Sequence, residues 1–480
     1  MDTPFWSDIE GLHELYRNRK TTPSEVVSWY LSRIDKYNPK FNIYLTVTRK
    51  EAVDKAKEQD LLLQKDPGVL DKFPLFGIPV AYKDIFMTKG VKTTAGSKVL
   101  ERHIAQYSGT AVKKLEEAGS ILLGKLNCDA WAHGSSGENS DFGPTGNPWN
   151  SEYVSGGSSS GSGAALAADL ALVTLGTDTG GSIRCPASFC GVVGLKPTYG
   201  RVSRYGVIAM ASSLDSVGHF TKTVTDSRRV LSVTAGKDLF DATTSPLQIE
   251  KIKNLKPTIK NLRLGVPKEY LSHGSSMTEG MEESVVKVTQ DAIKTLEKMG
   301  AKIVEISLPH TPLALAAYYI IQPAEVSSNL GRFDGIRYGN SRQVFGAEAK
   351  RRIMLGTYTL SAGYYDAYYK TAQKVRTLII NDFKKAWENV DLIVGPVMPH
   401  PPFKIGDKVD NPLSLYLEDV LTVPVNLAGL PAISLPGGFS QNQLPVGFQL
   451  IGPQFSEEKI FALGQLYQET TNWHTQRPQL

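Results

Sequence analysis

GGSSSGSGAALAA at residues 156–168 and GTDTGGSIRCPA at 176–187 are the stretches on which the reading of this chain turns. The first belongs to a run, Ser155 to Gly163, made only of Ser and Gly, and it passes directly into Ala164–Leu175, an apolar passage that reads as helix and then strand. A flexible Ser/Gly linker separates blocks of different composition, whereas this tract opens a core segment. The second stretch sets consecutive backbone N–H groups around Ser182, with two glycines before it. Glycines let the main chain take positive φ and approach a carbonyl closely, so the segment supplies the material of an oxyanion hole. Upstream lies GIPVAYKD at 77–84, a short apolar strand ending in Lys83 beside Asp84. A Lys in apolar surroundings can lose its charge and act as a base. A lone Lys after a strand is more often solvated, so Lys83 draws its interest from the two Ser/Gly segments.

Further out, Thr22-Pro23-Ser24-Glu25 combines a capping Thr, a first-turn Pro and a capping-box Glu. It predicts the first clear helix, carried on by the stripe Val26, Val27, Tyr30 and Ile34. A second helix is expected over 49–64. Short β-type runs at 121–124, 172–175, 264–266, 302–306 and 391–395 then alternate with helical patterns. That alternation predicts an α/β fold, a central sheet with helices on both faces. The charged stretch 248–261 is a candidate boundary. Because candidate functional residues fall on both sides of it, the expectation is a single domain over residues 1–480.

Taken together, Lys83, Ser158 and Ser182 resemble the amidase signature family, through GIPVAYKD (77–84), GGSSSGSGAALAA, GTDTGGSIRCPA and GVVGLKPTYGRVS (191–203). The resemblance implies the fold of that family, a central mixed twisted β-sheet covered by helices on both faces. It also implies a catalytic triad in which Ser182 is the nucleophile, Ser158 passes on its proton and neutral Lys83 receives it. Thr179, Gly180 and Gly181, with Ser182 itself, would form the oxyanion hole, while Asp178 and Arg184 read as structural. GSSGENSDFGPTGNPW (134–149), the stretch 350–379 and LTVPVNLAGLPAISLP (421–436) make the chain most similar to the glutamine-hydrolysing subunits of tRNA-dependent amidotransferases. That implies glutamine as substrate, with Arg352 on its α-carboxylate, Asp419 on its α-ammonium and Tyr318 near the acyl chain. Arg suits a carboxylate because its planar fork can bond both oxygens. Taken alone, Arg351-Arg352 would read as a solvated helix face and Asp419 as a turn cap. The resemblance further implies a heterotrimer with GatB and GatC. No cofactor is expected in this chain; ATP, magnesium and most contacts to tRNA would belong to the partner. The ammonia would convert Glu-tRNA(Gln), with Asp-tRNA(Asn) as the second candidate. Two departures stand out: the stretch from Tyr338 to Gly346 is shorter than usual in these relatives, and Trp131-Ala132-His133 stands where they more often carry an aromatic residue followed later by Met.

Rival chemistries find less support. Gly157-Ser-Ser-Ser-Gly161 also fits a nucleophile elbow centred on Ser159, but residues 147–154 before it carry turn signals rather than a buried strand. The later His that such a site needs would be His219, His273, His310, His400 or His474, none in a recognisable setting. No dinucleotide or phosphate-loop motif occurs. Cys128, Cys185 and Cys190 lack a fourth partner at zinc spacing, so no metal is expected. Cys185 reads as a small buried hydrophobe. Three Cys in 480 residues point to a reducing, cytoplasmic setting, and a formal net charge of +5 marks no nucleic-acid surface. The first ten residues contain acids and no apolar segment, unlike a signal peptide. Pro424 and Pro431 break the apolar stretch 420–436, so no membrane span is expected. Two other readings remain: a stand-alone amidase acting on small amides, and a non-catalytic scaffold.

Overall fold

The computed structural model describes residue 6, residues 8–247, residues 259, 262–271 and 277, and residues 280–480. The charged stretch 248–261 therefore lies, except for Ile259, outside the described residues, as does His273.

The capping signal of the first predicted helix is realised. Helix Pro23–Phe41 starts at Thr22, whose hydroxyl accepts the Glu25 N–H while the Glu25 carboxylate accepts the Thr22 N–H. Val26, Val27, Tyr30 and Ile34 are buried on its inner face. A shorter helix, Ile9–Arg17, precedes it, capped by Asp8 and burying Ile9, Leu12, His13 and Tyr16. The third helix spans Arg49–Lys65.

The strands are β1 (Tyr44–Val47), β2 (Pro79–Lys83), β3 (Ile121–Leu126), β4 (Gly146–Asn147), β5 (Asn150–Val154), β6 (Val173–Asp178) and β7 (Val193–Lys196). They continue with β8 (Ser216–Thr221), β9 (Arg263–Pro267), β10 (Lys302–Ile306), β11 (Leu392–Pro396), β12 (Ala432–Phe439) and β13 (Pro445–Ile451). Eleven of them form one sheet in the order β1-β3-β2-β6-β8-β7-β12-β13-β11-β9-β10, while β4 and β5 make a separate hairpin. The sheet is mixed. β2 runs parallel to β3 and β6, and β9 to β10 and β11; the middle of the sheet, from β6 through β13, is antiparallel.

Strands β2, β6, β8, β11 and β13 are buried along their whole length, as a sheet covered on both faces requires. On β12, Leu435 points at helices Val224–Thr234 and Glu457–Thr470. Its neighbour Pro436 points the other way and pairs with Gly447, against which Ser188 of helix Arg184–Cys190 is packed. Parallel strands covered on both faces favour a ligand site outside their carboxyl ends. β2 and β6 end there side by side, in Lys83 and in Thr177-Asp178.

Candidate active site

Lys83 closes β2 and is fully buried; its Nζ donates to Ser158 Oγ at 2.8 Å and to Thr177 Oγ1 at 3.1 Å. Asp84, its sequence neighbour, turns away to pair with Lys125 at 3.2 Å. Burial penalises the ammonium form of Lys83 and brings its pKa down to about 8. Ser158 is held by a tight main-chain path. A side chain at Gly157 would strike the Asp129 carboxylate, the Gly157–Ser158 peptide is cis, and the Asp129 N–H bonds the Ser158 carbonyl at 3.2 Å. Helix Ser160–Ala167 then begins inside the Ser/Gly tract.

Ser182 reaches the same place from the turn after β6. Its carbonyl accepts the Ser159 N–H at 3.2 Å, which ties the turn that carries Ser182 to the residue after Ser158. Ser182 is 7% exposed, the outermost of the three candidates. Lys83 and Ser158 are thus joined directly, whereas the Ser182 hydroxyl makes no hydrogen bond among the described residues. Ser159, centre of the rival elbow, is buried and its hydroxyl donates to the Thr177 carbonyl at 3.2 Å. A strand does precede it, correcting the turn reading of 147–154. That strand, β5, lies in the β4/β5 hairpin outside the main sheet, so the strand-turn-helix of an elbow is not formed. His219 bonds Ser227 and His310 bonds Asp382, so neither is hydrogen-bonded to Ser159.

The turn from Asp178 to Arg184 is built around one buried carboxylate. Asp178 accepts the N–H groups of Gly181, Ile183 and Arg184, the Arg184 guanidinium at 3.0 and 3.1 Å, and Asn426 Nδ2 at 2.9 Å. Burial alone would raise its pKa; Arg184 and these donors bring it down to about 2. Arg184 in turn reaches Gln449, Asn426 and the Thr422 carbonyl. Both residues are structural, as expected. One of the predicted oxyanion donors is spoken for: the Gly181 N–H is given to Asp178 at 2.9 Å. The N–H groups of Thr179, Gly180 and Ser182 have no partner among the described residues, so the open donor set flanks Gly181 rather than including it. Gly181 has φ +137 and lies against Thr422, a conformation and a spacing that leave no room for a side chain. Thr179 Oγ1 bonds Asp215 at 2.7 Å, fixing the turn from its other side.

Facing this turn are the candidate substrate-binding residues. Tyr318 is buried with its hydroxyl next to Gly180. Its neighbour Tyr319 donates to Asp419 Oδ2 at 2.7 Å and stacks over the Arg352 guanidinium, 4.8 Å from ring centroid to Cζ. Tyr416 stacks on Tyr319, ring centroids 4.2 Å apart, and its own ring centroid lies 4.9 Å from the same guanidinium carbon. Arg352 is 3% exposed, so it is no solvated helix face; Arg351, beside it, points outward. Asp419 also accepts Ser135 Oγ at 2.8 Å, a role beyond a turn cap, and burial raises its pKa to about 6. The Arg352 fork is already half engaged: Nε donates to Glu348 at 2.7 Å and Nη1 to Gln322 Oε1 at 2.6 Å. Three of its five N–H groups, one on Nη1 and two on Nη2, have no hydrogen bond among the described residues, so Arg352 keeps donors for a carboxylate at the end of its fork while its Nε side is held by Glu348.

Sequence reasoning missed Thr177, Tyr319, Gln322, Glu348 and Tyr416. Glu348 stands four residues before Arg352, a helical pairing signal that was there to be read. Cys185 is buried as predicted, its thiol against the Ser135 carbonyl. Among the described residues no cluster of three His, Cys, Asp or Glu could hold a metal, and no helix is long and apolar enough to cross a membrane.

Comparison with known proteins agrees with this geometry. The chain is 51% identical over 485 residues to the A subunit of glutamyl-tRNA(Gln) amidotransferase from Geobacter metallireducens, covering 98% of both chains. It is 48% identical over 492 residues to the protein of the same name in Bacillus cytotoxicus, covering 99% of both. A crystal structure of the glutamyl-tRNA(Gln) amidotransferase A subunit from Thermotoga maritima superimposes with a TM-score of 0.78 at 40% identity, over 95% of this chain and 96% of that one. The family model named Amidase matches residues 25–461, taking in β2, the Ser/Gly tract, the Asp178–Arg184 turn and both substrate-facing segments, and the chain belongs to the amidase family.

Proposed function

We propose that this chain is the glutamine-hydrolysing subunit of a tRNA-dependent amidotransferase, and that Ser182 attacks the side-chain amide of glutamine. A Ser hydroxyl attacks an amide only if its proton is removed as the bond forms. The 2.8 Å contact between Lys83 and Ser158, with the Lys83 pKa at about 8, supports a relay of the Ser-Lys kind. As Ser182 Oγ bonds the carboxamide carbon, its proton moves to Ser158, whose own proton moves to neutral Lys83. The carbonyl oxygen takes up negative charge toward the free N–H groups of Thr179, Gly180 and Ser182. Collapse of the tetrahedral adduct breaks the C–N bond, the proton held on Lys83 returns through Ser158 to the leaving group, and ammonia departs. Water then attacks the glutamyl ester by the same relay and releases glutamate.

The observation that carries the glutamine reading is the buried pair of opposite charges, Arg352 and Asp419, bridged by Tyr319 and facing the Ser182 turn. An enzyme for neutral amides has no use for such a pair. Glutamine presents an α-carboxylate and an α-ammonium at the far end from its carboxamide, and buried groups of opposite charge set toward them give selectivity. The three relatives described above are each named as one subunit of an amidotransferase, which supports partner subunits. We assign these to GatB and GatC, with ATP, magnesium and the tRNA held by the partner. Glu-tRNA(Gln) is the acceptor that the relatives' name supports, and Asp-tRNA(Asn) is the second.

Arg352→Ala tests this reading against a stand-alone amidase. It should lower kcat/KM for glutamine by about 2–4 kcal/mol, the scale of truncating a buried charge contact, while hydrolysis of a neutral amide changes little. Equal losses on both substrates would sink the glutaminase reading.

A further inference from the structure

Asp129 is a fully buried carboxylate that the chemistry proposed above leaves without a part. Its place in the fold puts it beside the relay. Strand β3 lies next to β2 with Leu126 in register with Lys83, and Asp129 follows Leu126 by three residues, at the same edge of the sheet. Burying a carboxylate is costly unless it is paired or hydrogen-bonded. Asp129 has no cationic partner among the described residues; backbone N–H groups hold it instead, Asn139 on Oδ1 at 2.8 Å and Gly137 on Oδ2 at 3.1 Å.

The contacts of Asp129 converge on Ser158 from three sides. Its own N–H donates to the Ser158 carbonyl at 3.2 Å. Its Oδ2 lies so close to Gly157 that a Cβ added there would stand 2.1 Å from it. The loop that its carboxylate holds reaches the same bend, because the Gly157 N–H donates to the Ser135 carbonyl at 2.9 Å and a Cβ on Gly137 would stand 2.6 Å from the Ser160 side chain. The peptide that leads into Ser158 is thus held by its N–H and by its α-carbon, and Ser158 itself by its carbonyl.

Ser158 has the narrowest tolerance of the three relay residues, since its hydroxyl must stay 2.8 Å from Lys83 and still take a proton from Ser182. A misplacement of about 1 Å in such an arrangement costs on the order of 100-fold in rate. Among side chains of this size only a carboxylate accepts an N–H on each of two oxygens; Asn has one acceptor oxygen and would turn its NH2 toward an N–H.

We infer that Asp129 is a positioning residue of the relay: by holding the Gly157–Ser158 bend and the 135–139 loop together, it keeps Ser158 Oγ on Lys83 Nζ. This rests on the Ser182–Ser158–Lys83 relay proposed above and not on which amide is the substrate.

The test uses the full chain co-expressed with its partner subunits and compares Asp129→Ala with the isosteric Asp129→Asn. For Asp129→Ala, kcat for glutamine should fall by roughly 10- to 100-fold. KM should stay within about threefold, because no substrate contact is removed. Asp129→Asn keeps an acceptor for the Asn139 N–H and loses the one for Gly137, so its kcat should lie between those of Asp129→Ala and the unmodified enzyme. In a crystal structure of either variant, Ser158 Oγ should have moved beyond about 3.5 Å from Lys83 Nζ, out of hydrogen-bond reach. If Asp129→Ala does not fold, the kcat, KM and structure of Asp129→Asn decide alone. An unchanged kcat in a folded variant, a rise in KM in place of the fall in kcat, or a lowered kcat with the Ser158–Lys83 contact intact overturns the assignment. Failure of the relay reading looks different: Ser158→Ala and Lys83→Ala would then keep turnover in a chain whose Asp129 is untouched.

Discussion

At the scale of single residues, two buried groups set the pH response, and both make turnover rise with pH. Lys83 must be neutral to accept a proton, and burial brings its pKa down to about 8, so the competent fraction grows as pH rises through that value. Asp419 must be charged to meet an ammonium, and burial raises its pKa to about 6, so the site weakens as pH falls through that value. kcat/KM for glutamine should therefore climb from about pH 5, with a lower limb from Asp419 and an upper one from Lys83. In Asp419→Asn the lower limb should vanish and KM for glutamine should rise. A pH profile of kcat/KM for both proteins checks this, and a lower limb that persists in Asp419→Asn would take that role away from Asp419. Lys83, Ser158 and Ser182 were legible in the sequence because each sits in a long motif whose glycines are dictated by the main-chain path, as at Gly157 and Gly181. Thr177, Tyr319, Gln322 and Tyr416 were not. They meet Lys83, Asp419 and Arg352 only across the folded chain, with no local spacing to announce them. The engagement of the Gly181 N–H by Asp178 was hidden for the same reason, since a motif names backbone donors without showing which are already taken.

At the scale of elements, the turn from Asp178 to Arg184 is the most heavily supported piece of the site. Arg184→Leu would leave the Asp178 carboxylate buried without its cation, and breaking such a pair costs about 3–5 kcal/mol. The expected outcome is that much loss of unfolding free energy, together with loss of turnover, in denaturant titration and an ammonia assay. Thr22→Ala, far from the site, should cost about 1 kcal/mol through its lost cap and leave turnover unchanged. Were Arg184→Leu no more destabilising than Thr22→Ala, the turn would not depend on the Asp178–Arg184 pair. Elements with strong local signals were readable: the capping box placed the start of helix Pro23–Phe41, and apolar alternation found β9, β10 and β11 to within a residue or two. Helix Ile9–Arg17 escaped, although Asp8 caps it and Ile9, Leu12, His13 and Tyr16 fall at helical spacing, a signal that was there to be read. The β4/β5 hairpin escaped because Asn147, Pro148 and Asn150 read together as turn, whereas only Pro148 and Trp149 lie between the strands and Asn147 pairs with Asn150.

At the scale of the whole molecule, the order of strands matters more than their number. β7, from the half that carries the Ser182 turn, pairs with β12, from the half that carries Asp419, and Arg184 is held by Asn426 and Gln449 across the same junction. The two halves complete one sheet and one site, so we propose that they unfold together. Circular dichroism and intrinsic fluorescence should then report a single coincident transition, and a fragment ending before residue 248 should neither fold nor release ammonia. Two separated transitions would divide the chain where the charged stretch 248–261 suggested a boundary. The fold class was legible from alternation alone, but the antiparallel middle of the sheet was not, because the pairing of β7 with β12 spans more than two hundred residues. Everything proposed for the site depends on Ser182 forming a glutamyl ester. That ester can be sought by quenching the partner-bound enzyme with acid during turnover of glutamine and mapping the acylated peptide by mass spectrometry. A glutamyl adduct is expected on Ser182 and should be absent, along with ammonia release, in Ser182→Ala; an adduct on Ser158 or Ser159, or continued turnover by Ser182→Ala, would contradict the proposed chemistry.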